Sequence, residues 1–176
     1  MFDNMFENIC PACGKIMAKV FMKEQNVYLD VCLDGCGGIY FDNREFEKFD
    51  EQHEDITPLL KAYEGKNFIP VEETDTQRIC PVCKKPMVKN FSSIKKEIKF
   101  DECYICGGRF LDYLELDKIR KEYNTEEDRA NDVLNHFFNE AGNELKAHYI
   151  QYGSMRPRKT FLAEIYDKIV SKHVNK

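Results

Sequence analysis

Cysteine is the residue type with the most chemistry to offer in this sequence, and its eight copies fall into two sets of four. Cys10, Cys13, Cys32 and Cys36 read C-x2-C-x18-C-x3-C, while Cys80, Cys83, Cys103 and Cys106 read C-x2-C-x19-C-x2-C. Two short loops that each offer two thiolates can close a tetrahedron around one ion, with bonds of ~2.3 Å, and a hairpin of this length brings the loops together. Buried cysteines without a ligand would not recur in two matched sets with none left over. Four thiolates suit zinc, and they also suit a single iron of the rubredoxin type or an iron–sulfur cluster; spacing alone does not separate these. In a reducing cytosol a four-thiolate site favours zinc, two ions per chain, over disulfides. A closed four-ligand site keeps no position for substrate or water, so the metal reads as structural.

The elements that must position these cysteines form an internal repeat. A shift of 70 residues lays Cys10-Pro11 and Cys13 on Cys80-Pro81 and Cys83, and Cys36-Gly37-Gly38 on Cys106-Gly107-Gly108. Between those blocks a shift of 71 pairs Leu29, Asp30 and Cys32 with Phe100, Asp101 and Cys103. Alternation in Val27-Tyr28-Leu29-Asp30-Val31 and in Ile98-Lys99-Phe100-Asp101-Glu102 predicts a half-exposed strand in each copy. Asp42 with Glu45, and Asp112 with Glu115, have the spacing of a capping box, so each hairpin is expected to run into a short helix. That structural role accounts for these carboxylates without a catalytic one. His53, His136, His148 and His173 have no ligand spacing, and no phosphate-binding loop, nucleophile elbow or metalloprotease signature is present. The sequence does not read as an enzyme.

Between the copies a short helix is expected with Thr57 as its cap, Pro58 at its first position and Gly65 beyond its end, inside an otherwise acidic linker. After the second copy, Thr125 with Asp128 opens a longer helix whose apolar positions include Val133, Leu134, Phe137, Phe138 and Leu145. Gly153 and Pro157 should end it, and a last helix from about Thr160 should pair with it as an antiparallel hairpin. The expected segments are 1–53 for the first copy, 54–77 for the linker, 78–123 for the second copy and 124–176 for the helical hairpin.

The formal charge is −5, and two four-thiolate zinc centres would take it to about −9, so no global positive field draws the chain to nucleic acid. The charge is uneven, however. Residues 79–112 hold seven basic residues against four acidic ones, whereas residues 1–50 hold five against nine. A local basic arm of Lys84, Lys85, Lys89, Lys95, Lys96 and Lys99 could therefore meet a phosphate backbone or an acidic protein face. The start of the sequence lacks the pattern of a signal peptide and no stretch approaches a membrane span, so the expected compartment is the cytoplasm, with no membrane partner.

Each copy contains Cys-Pro-x-Cys, then hydrophobic-x-hydrophobic-Asp-x-Cys, then Cys-Gly-Gly, two bulky residues and Asp-x-x-Glu. Residues 9–49 and 79–119 thereby resemble the zinc-ribbon family named after transcription factor IIB. The one departure is the Cys32-Leu-Asp-Gly-Cys36 knuckle, a residue longer than the family pattern. The resemblance implies a zinc ribbon in each copy, ligated by the two cysteine sets above, and its name points toward transcription. The expected fold is a small metal-bound α+β protein: two ribbons, each a β-hairpin followed by a short helix, and a C-terminal helical hairpin. The expected function is that of a non-catalytic interaction adaptor with a protein partner. A nucleic-acid binder using the basic arm and a rubredoxin-like iron electron carrier are the alternatives.

Overall fold

The computed structural model describes residues 7–71 and 77–152. Each copy contributes three strands: β1 (Ala18–Met22), β2 (Val27–Val31) and β3 (Ile39–Phe41), then β4 (Val88–Phe91), β5 (Lys99–Glu102) and β6 (Arg109–Leu111). The alternating stretches are thus strands, as their periodicity predicts. Helix α1 (Thr57–Tyr63) lies between the copies, and α2 (Glu115–Glu122) and α3 (Glu126–Tyr152) follow the second.

The two copies do not form separate sheets. All six strands join in the order β1-β2-β3-β6-β5-β4, with β3 and β6 antiparallel at the centre. Ile39 faces Leu111, Tyr40 faces Phe110 and Phe41 faces Arg109 in that central pair. A strand of three residues has few ladder bonds to offer, and pairing across the copies satisfies edges that each hairpin alone would leave open. The described part of residues 1–133 packs as one unit, and α3 from Leu134 onward belongs to a second.

Both faces of the sheet are covered, so the strands are less exposed than alternation alone suggests. Leu29, Val31, Ile39, Phe41, Phe100 and Leu111 bury one face against Phe46, Phe49, Leu59, Leu116 and Ile119. Tyr40 and Phe110 point from the other face into a second cluster with Met17, Met87 and the cysteines. Asp30 and Asp101, polar positions of the alternation, are each only 2% exposed on this cysteine-bearing side.

The capping boxes form by half. Glu45 accepts the Asp42 N–H at 3.0 Å and Glu115 accepts the Asp112 N–H at 2.7 Å, as the reach-back requires. Neither helical segment has a side-chain cap from the aspartate. The backbone turns instead through left-handed Arg44 (φ 65°) and Leu114 (φ 70°), equivalent positions of the two copies. After the first copy the expected short helix is a single 3-10 turn, Phe46–Lys48. For α1 the cap also differs: Thr57 is already helical, and its N–H donates to the Asp55 carboxylate at 2.9 Å. Pro58 sits in the first turn and Gly65, at φ +70°, follows the end as expected.

Arg120 on α2 donates to the carbonyls of Phe49, Gln52 and Glu54, which fixes the segment after the 3-10 turn. Thr125 accepts the Asp128 N–H at 3.1 Å, so α3 begins at the cap its sequence predicts. Val133, Leu134, Phe137 and Phe138 are exposed along α3. The expected end at Gly153 and Pro157 and the last helix from Thr160 lie outside the described residues. Among those described, no helix is long and apolar enough to cross a membrane.

Candidate metal centres

A tight loop carries the first two ligands of each set. In the first, Gly14 N–H donates to the Cys10 carbonyl at 3.0 Å and Cys10 N–H to the Lys15 carbonyl at 2.8 Å; Lys84, Cys80 and Lys85 repeat both bonds at the same lengths. These loops turn through positive φ, 75° at Gly14 and 57° at Lys84. The other two ligands flank the turn between the second and third strand of each copy. There the copies differ, because Gly37 N–H returns to the Cys32 carbonyl five residues back, while Gly107 returns to Cys103 four back. The longer knuckle absorbs its extra residue at Gly35. A Cβ there would lie 2.8 Å from both the Cys13 and Cys32 sulfurs, so only glycine lets the backbone pass this close.

These turns bring Cys10, Cys13, Cys32 and Cys36 together, and likewise Cys80, Cys83, Cys103 and Cys106. Within each set the four sulfurs all lie within 4.8 Å of one another. Cys10–Cys36 and Cys13–Cys32 are 3.4 Å apart, and Cys80–Cys106 and Cys83–Cys103 are 3.5 and 3.3 Å apart. Four sulfurs ~2.3 Å from one ion would be separated by ~3.8 Å along each tetrahedron edge, close to this spacing. The longer knuckle therefore leaves the first set as compact as the second.

Burial and the neighbouring sulfurs perturb several of the thiols. Hydrogen bonding to Cys36, and then burial, pushes the Cys10 thiol up, while the Cys10 bond pulls Cys36 down. Burial first, then Cys13, pushes Cys32 up to about 11, and burial first pushes Cys106 up to about 12. Neighbouring negative charges at such separations repel one another. A divalent ion between them makes all four thiolates and supplies the missing positive charge. The donor sets thus fit two zinc ions per chain, one held by each cysteine set.

The surroundings of the two centres are related but not identical. Asp30, behind the first, accepts from Asn8 and Lys19, both at 2.9 Å. Asp101, at the equivalent place, accepts from Arg78 at 2.7 Å and Lys89 at 3.1 Å, and Arg78 also bridges to Asp112 at 2.9 Å. Tyr113 and Phe68 pack where a Cβ on Gly37 would sit, and Asn43 does so at Gly107. The Tyr40 hydroxyl lies 3.3 Å from the Cys80 sulfur and 3.5 Å from that of Cys106. Sequence reasoning passed over Asn8, Arg78 and Tyr40, none of which belongs to a ligand spacing. The repeat carried one signal for them, since Asn8 aligns with Arg78 and Tyr40 with Phe110 where the flanking residues match.

Of the basic arm, Lys89 pairs with the buried Asp101 from the surface, and Lys95 donates to the Glu122 carbonyl while covering the Tyr123 ring at 3.9 Å. Lys84 and Lys85 are exposed beside the second centre. His53 pairs with Glu51 at 2.9 Å, away from either cysteine set.

Residues 9–51 and 79–122 each match the family model described as the transcription factor zinc-finger, the TFIIB-type zinc ribbon. Comparison with curated proteins and with solved structures gives no match. Both segments belong to this family, and the chain carries two of its zinc ribbons in tandem.

Proposed function

We propose that this tandem TFIIB-type zinc-ribbon chain is a non-catalytic adaptor that docks a partner protein of the transcription machinery on the tip of its second ribbon, in the cytoplasm. The observation that carries the reading is the difference between the two tips. At the first, the chain covers itself: Ile69 N–H donates to the Gly35 carbonyl at 3.1 Å, Lys66 pairs with Asp34 at 2.8 Å, and the Tyr63 hydroxyl donates to Gly37 at 2.7 Å. At the second, Val82, Tyr104 and Ile105 stand 47%, 66% and 73% exposed, beside exposed Lys84 and Lys85. An apolar tip with a basic rim suits an apolar pocket edged by acidic side chains. Closed four-thiolate centres, with no open coordination position, favour a scaffold role over catalysis. Two of the six arm lysines, Lys89 and Lys95, already have intramolecular partners in Asp101 and the Glu122 carbonyl, which weighs against the nucleic-acid alternative.

The test is affinity capture from the source cell with wild type, with a Val82→Asp/Ile105→Asp variant and with chelated protein. Transcription proteins retained by wild type and lost from the variant, at an unchanged two zinc per chain, support the reading. Binding to random DNA or RNA tighter than the ~10⁻⁴ to 10⁻⁶ M of non-specific contacts at physiological salt would overturn it. Loss of that binding in a Lys95→Glu/Lys96→Glu/Lys99→Glu variant would place a nucleic-acid site on the basic arm.

A further inference from the structure

We infer that Tyr40 of the first ribbon is a positioning residue for the second zinc centre, sharing its one hydroxyl hydrogen between the Cys80 and Cys106 thiolates, and that it makes this the more tightly held and less reactive centre of the two. The hydroxyl lies 3.3 and 3.5 Å from those sulfurs, and the residue is 1% exposed, so water does not compete for the bond. A zinc-bound thiolate has no proton to give, which leaves the phenol, protonated at neutral pH, as the donor.

Among the described residues the first centre has no such group, and the reason is one atom. Tyr40 and Phe110 face each other in the central strand pair, and each ring crosses to the other ribbon's Gly-Gly turn. The Phe110 Cζ stands 2.4 Å from where a Cβ on Gly38 would be, and the Tyr40 Cζ stands 2.5 Å from the equivalent point on Gly108. The rings therefore occupy matching positions, and only Tyr40 carries an oxygen onward to the sulfurs. A hydrogen bond to a metal-bound thiolate withdraws charge from sulfur, which lowers its reactivity toward electrophiles and stabilises the loaded site. Outer-shell partners of metal ligands are typically worth ~10–100-fold in metal affinity. The second centre is thereby completed by a side chain more than half a repeat away in sequence, from the other ribbon.

The experiment uses the full chain with both sites loaded with zinc, or with cobalt(II) for spectroscopy. Zinc loss to a competing chelator is followed by N-ethylmaleimide labelling and peptide mapping, which assigns each reactive cysteine to its site. In Tyr40→Phe the second set should become labelled at a chelator concentration ~10-fold or more lower than in wild type, with the first set unchanged. The sulfur-to-cobalt charge-transfer band of the second site should move to lower energy, because a thiolate without its donor gives up an electron more readily. Phe110→Tyr should do the reverse at Cys10, Cys13, Cys32 and Cys36, slowing their labelling. Tyr40→Phe labelling and spectra that match wild type at the second site would overturn the inference, as would equal weakening of both sites. If Tyr40→Phe fails to fold, Phe110→Tyr decides alone: slower labelling of the first set supports the donor role, and unchanged labelling refutes it.

Discussion

Replacing Arg78 by alanine should destabilise the paired ribbons far more than the equivalent change at Asn8. The Arg78 side chain is 8% exposed and bridges the carboxylates of Asp101 and Asp112, whose side chains are 3% and 26% exposed, while its guanidinium lies 5.0 Å from the Phe110 ring centroid. Breaking a buried ion pair from one side typically costs about 3–5 kcal/mol, because the remaining charge stays buried without its partner. Asp101 would keep Lys89 at 3.1 Å, a partner 35% exposed, which places the loss near the lower end of that range. The more exposed bond to Asp112 adds about 0.5–1 kcal/mol. Arg78→Ala should therefore cost about 3.5–4 kcal/mol. Asn8→Ala removes one neutral donor from Asp30, whose other oxygen already lacks a partner and whose Lys19 ion pair remains, so about 1–2 kcal/mol is expected. Arg78→Asn, which copies the first ribbon's arrangement onto the second, should recover part of the loss. Urea denaturation at fixed free zinc, needed because bound metal adds to apparent stability, reads all three variants. The reasoning is refuted if Arg78→Ala costs less than about 1 kcal/mol or no more than Asn8→Ala.

Four further outcomes are expected. Burial, more than the neighbouring Asp112 charge, raises the Glu115 carboxyl to about 7, so the folded state holds a proton that the unfolded chain has released. Stability from this group is present at low pH and falls as pH rises from about 4.5 to 7; Glu115→Gln should then be more stable than wild type by about 1–2 kcal/mol at pH 8, with the gap closing toward pH 5.5 in thermal melts at saturating zinc. A gap that widens on acidification would contradict that sign. Native mass spectrometry should find two zinc ions on a colourless protein, and chelation should unfold both ribbons while much of the helical circular dichroism of α3 survives. A visible iron absorption or one metal per chain would refute this. During the same chelation the Cys32–Cys36 site should empty before the Cys103–Cys106 site.

What the sequence determined by itself is what depends on short separations and on repetition. Ligand loops, reach-back glutamates and strand alternation are local patterns, and their recurrence after 70 or 71 residues shows two copies of one metal-binding unit. The thiolate sets are legible for the same reason, since a four-cysteine tetrahedron needs little more than two knuckles and a hairpin. Thr57 is the first helical residue rather than the cap, and the first ribbon's short helix is reduced to a 3-10 turn, because one-turn preferences are weak beside the packing of Phe46, Phe49 and Leu59. Tertiary structure alone decided that β3 and β6 pair, because three-residue strands carry no signal of their partner and their register depends on which faces are buried. That pairing lays Tyr40 and Phe110 side by side in the second cluster of buried residues, among the cysteines. It also sets Tyr40 beside sulfurs 40 and 66 residues away, a contact that exists only once the two ribbons share a sheet.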